Sequence, residues 1–194
     1  MLNTLTPFIV VRNLRRRADR LENMHKRMES INTTFFLQDA VDDKNTSKSA
    51  CWWNAQNGLM MIRYAKAANL DSILLLDDDC VFIDNFNQIL KERWPLVPDN
   101  WDIVSFGEIY GQAEEVVPGV VRCFYTWGGH ASLIRKTVYD RVLETVTGNT
   151  WADEELNFQL KKEINYYAFK PYLITQEDGY SDLKNEYVRN GHFE

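Results

Sequence analysis

The sequence predicts an α/β sandwich with a mostly parallel central sheet, and two observations favour this fold class. Short apolar runs of strand length alternate with segments of helical period along the 194 residues, which is typical of a sheet covered by helices. Residues 73–76 are apolar at every position, as in a strand buried on both faces of a parallel sheet. With 45% hydrophobic residues, the chain is long enough for one domain with a sizeable core.

The individual elements follow from the spacing of the apolar residues. Residues 8–11 form an apolar run and predict the first strand. The helix that follows has Leu21, Met24, Met28 and Ile31 on one face, because residues three or four apart are neighbours on a helix. The remaining predicted elements are strands at residues 34–37, 73–76, 101–107, 120–125, 128–134 and 166–169, helices at residues 50–68, 86–94, 136–146 and 153–162, and an irregular segment from residue 170 onwards.

Composition and charge exclude several classes of function. The net charge of −6 disfavours binding to nucleic acid or to an anionic membrane. Cys51, Cys80 and Cys123 are odd in number and widely spaced, which argues against a disulfide framework and favours a reducing compartment. No apolar stretch approaches the roughly 20 residues that span a bilayer. We therefore predict a cytoplasmic protein without a membrane span.

Three consecutive carboxylates, Asp77, Asp78 and Asp79, follow directly after the apolar strand at residues 73–76. In an extended chain the first and third of them point to the same side. Two carboxylates roughly 6 Å apart repel each other by about 3 kcal/mol at an effective dielectric constant near 20. The cluster is therefore either a solvated acidic turn or a site for a hard divalent cation such as Mg²⁺ or Mn²⁺. Ligands of α/β proteins bind at the carboxyl ends of the strands, which favours the cation site.

The order of motifs resembles that of GT-A-fold glycosyltransferases, which use nucleotide sugars and carry an Asp-x-Asp motif after an apolar strand. More specifically, the order is similar to that of family 25, the lipopolysaccharide and procollagen galactosyltransferase type. A small viral enzyme of the same fold would also fit this order of motifs. The segments that carry this resemblance are VVRNLRRRADRLENM (residues 10–24), DAVDD (39–43), WDIVSFG (101–107), GGHASLIRKTVYDRVL (128–143) and KPYLITQEDGYSDL (170–183).

The resemblance implies a single GT-A domain over residues 1–194, with a nucleotide-binding half at 1–79 and an acceptor and catalytic half at 80–194. It implies a metal-dependent, inverting hexosyltransferase-like enzyme that moves a sugar from a nucleotide-diphosphate donor, expected to be a UDP-sugar, to a glycan or another hydroxyl acceptor. A viral enzyme of this kind would work in the host cytoplasm.

The resemblance also assigns roles to individual residues. Asp77 and Asp79 would bind Mn²⁺ or Mg²⁺, and either Gln176 or His192 would supply a further ligand. His130 would contact a phosphate or a sugar hydroxyl, unless it is an ordinary loop histidine. The residues predicted to contact the donor are Arg12, Asn13, Arg17, Asp42, Gln56, Asp77, Asp78, Gly128 and Gly129.

The predicted catalytic base is Asp153, at the start of a helix, and Glu154 is the next candidate. A base in this place would remove the proton of the acceptor hydroxyl during a single displacement. The alternative is that Asp153 only caps its helix, since aspartate is favoured at helix starts. Trp127 and Trp151 would form the floor of the acceptor site or belong to the core.

Two other functions remain open from the sequence. One is a phosphohydrolase of the haloacid dehalogenase type, in which Asp77 would be the nucleophile and Asp79 the acid and base. The other is a nucleotide-sugar-binding module without turnover.

Overall fold

A computed structural model describes residues 1–107 and 110–189, and a central sheet dominates this part of the chain. The strands are β1 (Ile9–Leu14), β2 (Phe36–Ala40), β3 (Ser72–Asp77), β4 (Cys80–Phe82), β5 (Ile103–Ser105), β6 (Tyr110–Val117), β7 (Val120–Trp127), β8 (Ala131–Arg135), β9 (Tyr166–Phe169), β10 (Ile174–Gln176), β11 (Gly179–Ser181) and β12 (Glu186–Val188). The helices are α1 (Leu2–Leu5), α2 (Ala18–Ser30), α3 (Ala50–Ala67), α4 (Phe86–Arg93), α5 (Tyr139–Thr145) and α6 (Ala152–Gln159).

The main sheet contains eight strands of the described residues in the order β2-β1-β3-β8-β5-β9-β7-β6. Strands β7 and β8 are antiparallel to their neighbours, so the other strands all run in one direction. The prediction of a mostly parallel sheet is thus confirmed. Strand β6 is outermost, and its pairing with β7 shifts register between Gln112 and Ala113 and again between Glu115 and Val117. Two short additional sheets pair β4 with β10 and β11 with β12.

The core consists of two layers, one on each face of the sheet. Successive side chains of β3 alternate between them because strand side chains have a period of two. Leu74 and Leu76 belong to the layer that α2 and α4 cover. Ile73 and Leu75 belong to the layer that α3 and α5 cover. This arrangement of helix, sheet and helix is the predicted sandwich.

Helix α3 illustrates how the local sequence sets the helix ends. It spans 18 residues, and the side-chain oxygen of Ser49 at its N-cap accepts a hydrogen bond from the N–H of Trp52. Serine at this position satisfies one of the backbone donors that a helix start leaves unpaired. Asn69, just beyond the helix, adopts a positive φ of 51°. Among the residues that the structure describes, no helix combines the length and the apolar character needed to cross a bilayer.

The elements that the sequence did not predict are those without a hydrophobic period of their own. The segment from residue 170 onwards was expected to be irregular, but it contains β10, β11 and β12. Strand β10 forms because it pairs with β4, a partner more than ninety positions earlier in the chain. Strand β6 is exposed at nearly every position, so its sequence lacks the apolar alternation that marks a half-buried strand.

Candidate active site

The acid cluster lies at the carboxyl end of β3, next to the end of β1. Arg12 of β1 is directly opposite Asp77 in the parallel register. Its Nη2 atom lies 2.5 Å from Asp77 Oδ1, and both side chains are largely buried. The strand pairing therefore brings one arginine to the first of the predicted metal ligands.

A second arginine, Arg20 in the first turn of α2, contacts the other two acids. Its Nη1 donates to Asp78 Oδ1 at 2.7 Å and to Asp79 Oδ2 at 3.0 Å. Its Nη2 donates to the backbone oxygen of Tyr180 at 2.9 Å. Arg20 is not among the residues that the sequence predicted for the site. Its role depends on how α2 crosses the end of β3, which local sequence does not encode.

The protonation of the acids reflects their burial. Burial raises the pKa of Asp78 to about 6, despite the nearby guanidinium of Arg20. The pKa of Asp79 is also raised, first by burial and then by the negative charge of Asp77. Since two nearby carboxylates in a buried place resist ionisation together, this cluster favours additional positive charge.

The donor atoms of the site suit a hard divalent cation. Asp77 and Asp79 both line the same cavity, as does Gln176, whose Nε2 donates to Asp79 Oδ1 at 3.0 Å. No group of three or more histidine, cysteine, aspartate or glutamate side chains within residues 1–107 and 110–189 is arranged to hold a metal. Magnesium in nucleotide sites usually takes one or two carboxylates and completes its shell with phosphate and water oxygens, so two aspartates fit. The other candidate ligand, His192, lies outside the described residues.

A glycine turn holds Asp153 at the wall of the same cavity. Gly128 has a φ of +107°, a conformation that side-chain-bearing residues rarely adopt. Its N–H donates to Asp153 Oδ2 at 3.0 Å. The N-cap position of α6 is Trp151, two residues before Asp153, so the Asp153 carboxylate contacts the glycine turn from within the first helical turn. Gly129 and Asp153 both line the cavity.

Two further side chains, one from α6 and one from the turn that follows it, attach to the end of β7. Asn157 Oδ1 accepts a hydrogen bond from the N–H of Thr126 at 2.9 Å. Lys161, just beyond α6, donates from Nζ to the backbone oxygen and the hydroxyl of Thr126. Burial lowers the pKa of Lys161 to about 8, against the opposing effect of the Asp153 charge. Neither residue was predicted, although polar residues at spacings of four from Asp153 would have been a usable signal.

Glu155 fixes the loop that leads into α6. Its carboxylate is buried and accepts hydrogen bonds from the backbone N–H groups of Thr147, Gly148 and Asn149 at 2.6, 3.1 and 3.0 Å. Burial alone would raise the pKa of Glu155, but these hydrogen bonds and that of the Thr147 hydroxyl give a net lowering. The loop in front of Asp153 is therefore held by a charged acceptor.

The other predicted site residues fall into three groups. Trp127, Trp151 and His130 line the main cavity. Arg17 and Asp42 form ion pairs with Asp182 and Arg16 beside the acid cluster. In the described part of the chain, Asn13 and Gln56 do not line the main cavity.

The main cavity has a volume of about 450 Å³. This is within the range of small-molecule sites. It contains the acids Asp77, Asp79 and Asp153 together with Arg12 and Arg20.

The fold is that of the GT-A-type, Rossmann-like transferases. The chain is similar to a crystal structure of a glycosyltransferase involved in the glycosylation of the major capsid of PBCV-1, with a TM-score of 0.51 at 12% identity over 83% of this chain and 80% of that chain. A protein from STIV aligns with a TM-score of 0.48 at 14% identity over 96% of this chain and 95% of its own. A Drosophila galactosyltransferase 7 mutant in complex with manganese, UDP-Gal and xylobiose aligns with a TM-score of 0.47 at 11% identity, over 93% of this chain and 69% of that chain. The sequence matches no protein-family model and no curated protein at a significant level.

Proposed function

We propose that the protein is a metal-dependent, inverting glycosyltransferase that moves a sugar from a nucleotide-diphosphate donor, expected to be a UDP-sugar, to a glycan or another hydroxyl acceptor. One observation carries this proposal: Asp77, Asp79, Asp153 and Gly128 all line a single cavity. The GT-A-type fold supports transfer over the phosphohydrolase alternative. Kinship with family 25 stays a prediction, since no family model matches the chain.

The donor diphosphate would bind at the end of β3. Asp77 and Asp79 would hold Mn²⁺ or Mg²⁺, which, when bound, neutralises the charge of a leaving diphosphate. Arg12 and Arg20 lie within 3.0 Å of these carboxylates and carry guanidinium groups suited to phosphate oxygens. The carboxylates and the guanidinium groups together give the donor site both signs of charge.

Transfer would be a single displacement at C1 of the donor sugar. The acceptor oxygen forms a bond to C1 while the bond from C1 to the diphosphate oxygen breaks, and the electron pair leaves with the nucleoside diphosphate. The acceptor proton passes to Asp153, whose Oδ2 atom is held by the Gly128 N–H at 3.0 Å. Attack from the face opposite the leaving group inverts the configuration, as in inverting glycosidases.

The deciding experiment is a panel of nucleotide sugars with and without Mn²⁺, read by thermal shift and by donor hydrolysis. We expect a UDP-sugar and Mn²⁺ together to raise the melting temperature of the wild type. Asp79→Ala should abolish this metal-dependent shift, because it removes a carboxylate that lines the cavity. The matched control is Asp84→Ala, which removes an exposed carboxylate in the same segment and should keep the shift. An equal metal-dependent shift in both variants would refute the assignment of Asp79.

A further inference from the structure

The main cavity continues past Asp153 into the interior of the protein. Beyond the glycine turn it runs between the sheet and the helices α3, α5 and α6. We call this part the inner chamber. Its walls include Leu59, Ile62, Leu75, Ile134, Val142 and Leu156.

The inner chamber lies within the hydrophobic core. Leu59, Ile62 and Val142 belong to the core layer under α3 and α5. Leu75 of β3 and Ile134 of β8, which also line the chamber, each keep 6% of their surface exposed. Well-packed interiors contain few spaces larger than a water molecule, so an apolar space that opens to a polar site is unusual.

The length of the chamber follows from the elements that line it. The residues of α3 that line the cavity run from Asn54 to Ile62, at the spacing of one helical face. Asn54 and Ile62 are two helical turns apart, or about 12 Å at the rise of an α-helix. This length matches a linear chain of several methylene groups.

The few polar groups in the chamber wall are already paired. Lys161 Nζ donates to both oxygens of Thr126 and lies 4.9 Å from the centre of the Tyr166 ring. The Tyr166 hydroxyl is hydrogen-bonded to Ser132 and Ser105. A ligand in the chamber gains little from polar groups of its own, because these partners satisfy one another.

We propose that the inner chamber binds the apolar part of the acceptor, a linear alkyl or acyl chain with a hydroxyl group at its head. The inference rests on the proposed function, since it places the acceptor hydroxyl beside Asp153, where the chamber opens. The apolar wall selects the chain, and the polar mouth receives the head group. The chemistry is shared by soluble alkyl alcohols and by membrane lipids with a free hydroxyl.

The test is calorimetric binding of n-butanol, n-hexanol and n-octanol to the whole protein. Each methylene that leaves water should improve the affinity about three- to fourfold, so octanol should bind about 100-fold more tightly than butanol. Hexadecanol in phosphatidylcholine vesicles, against plain vesicles, distinguishes a membrane-held chain from a soluble one. No donor is needed, so a failure here is separate from a failure of donor binding with Mn²⁺.

Variants that fill the chamber provide the second arm. Val142→Phe and Ile134→Phe each add a ring to the wall and should remove most of the dependence on chain length. The control Val116→Phe adds the same ring to an exposed position of β6 and should leave the dependence intact. If the wild type binds all three alcohols with the same affinity, the proposal is overturned, even if a filling variant fails to fold. The proposal is also overturned if both filling variants keep the same dependence of affinity on chain length as the wild type. If the filling variants melt at a higher temperature and the wild type binds all three alcohols equally, the space is a packing void and not a binding site.

Discussion

Asp77, Asp79 and Asp153 line one cavity but have different neighbours. Asp77 and Asp79 contact the guanidinium groups of Arg12 and Arg20. Asp153 contacts a backbone N–H instead. Both oxygens of Asp153 accept backbone N–H groups, Oδ2 from Gly128 and Oδ1 from Glu154. In the proposed function, the two ion-paired carboxylates bind the metal and Asp153 takes the proton.

Replacing Asp153 by asparagine tests this division of roles. Asp153→Asn keeps an oxygen that can accept the Gly128 hydrogen bond but cannot take a proton. We expect unchanged donor binding and a loss of transfer of about 10²- to 10⁴-fold, the usual contribution of a general base. Transfer rates and donor affinity should be measured together. The matched control is Glu154→Gln on the next residue, and a loss confined to that variant would move the role of base to Glu154.

The sequence predicted only those parts of the acid site that lie next to a recognisable strand. Asp77 and Asp79 follow directly after an apolar run, so the same segment predicted both the strand and the site at its end. Asn13 was predicted to contact the donor, but its neighbour Arg12 faces the acids, and adjacent strand residues point to opposite faces. The side chain of Asn13 is buried accordingly and donates to the backbone oxygen of Leu14. Its contact with the donor remains an untested prediction.

At the scale of elements, α6 is attached to the end of β7 by one polar face. Asp153, Asn157 and Lys161 are four residues apart, and each contacts the backbone of Thr126 or Gly128. Asp153 and Asn157 lie on one side of α6, and Lys161 follows in the turn just after the helix. The polar face thereby fixes the distance between the helix and the glycine turn.

The burial of Lys161 has a measurable effect on stability. Its pKa is lowered to about 8, while an unfolded lysine has a pKa near 10.4. Between these values the unfolded chain keeps a proton on Lys161 that the folded chain has lost, so Lys161 adds about 3 kcal/mol to the stability as the pH rises through this range. The buried thiols of Cys80 and Cys123, whose pKa values burial raises, act in the opposite direction, so the contribution of Lys161 is the difference between the wild type and Lys161→Met. Lys161→Met should lack this rise. Urea unfolding from pH 7.5 to 10.5 measures it, with Lys162→Met at an exposed lysine as the control. If the stability of the wild type and that of Lys161→Met changed with pH in the same way, the pKa of Lys161 would not be lowered in the folded protein.

The elements divide into those that carry their own pattern and those that depend on a partner. Helices α2 and α3 and strand β3 were predicted within a few residues, because each has a hydrophobic period of its own. Strands β4 and β10 are three residues long and exist as a pair. No local period marks such a pair, since the partners meet only when the rest of the chain has folded.

At the scale of the whole molecule, the two predicted halves share one sheet. Strand β8, from the second half, pairs with β3 of the first half and with β5 of its own. The boundary at residue 79 therefore separates roles in the proposed chemistry but does not separate two hydrophobic cores. The order of elements along the sequence was enough to predict the sandwich. The strand order was not, because it depends on pairings between distant segments.

A shared sheet predicts cooperative unfolding of the whole protein. We expect far-UV circular dichroism, near-UV circular dichroism and tryptophan fluorescence to give coincident urea transitions, as for a two-state domain. A fragment of residues 1–79 alone should remain unfolded, because β3 would lose β8 as its neighbour. Two separated transitions, or a folded fragment, would mean that the halves are independent units.

The outermost position of β6 has a consequence for self-association. An edge strand offers free N–H and C=O groups to a strand of another molecule, the first step towards fibrils. Strand β6 carries the exposed carboxylates Glu114 and Glu115 side by side, and its two register shifts distort the ladder that an incoming strand would have to match. A second copy of β6 that paired with this strand would bring glutamates close to glutamates and would meet an irregular hydrogen-bonding pattern. The sheet therefore resists the addition of a further strand next to β6.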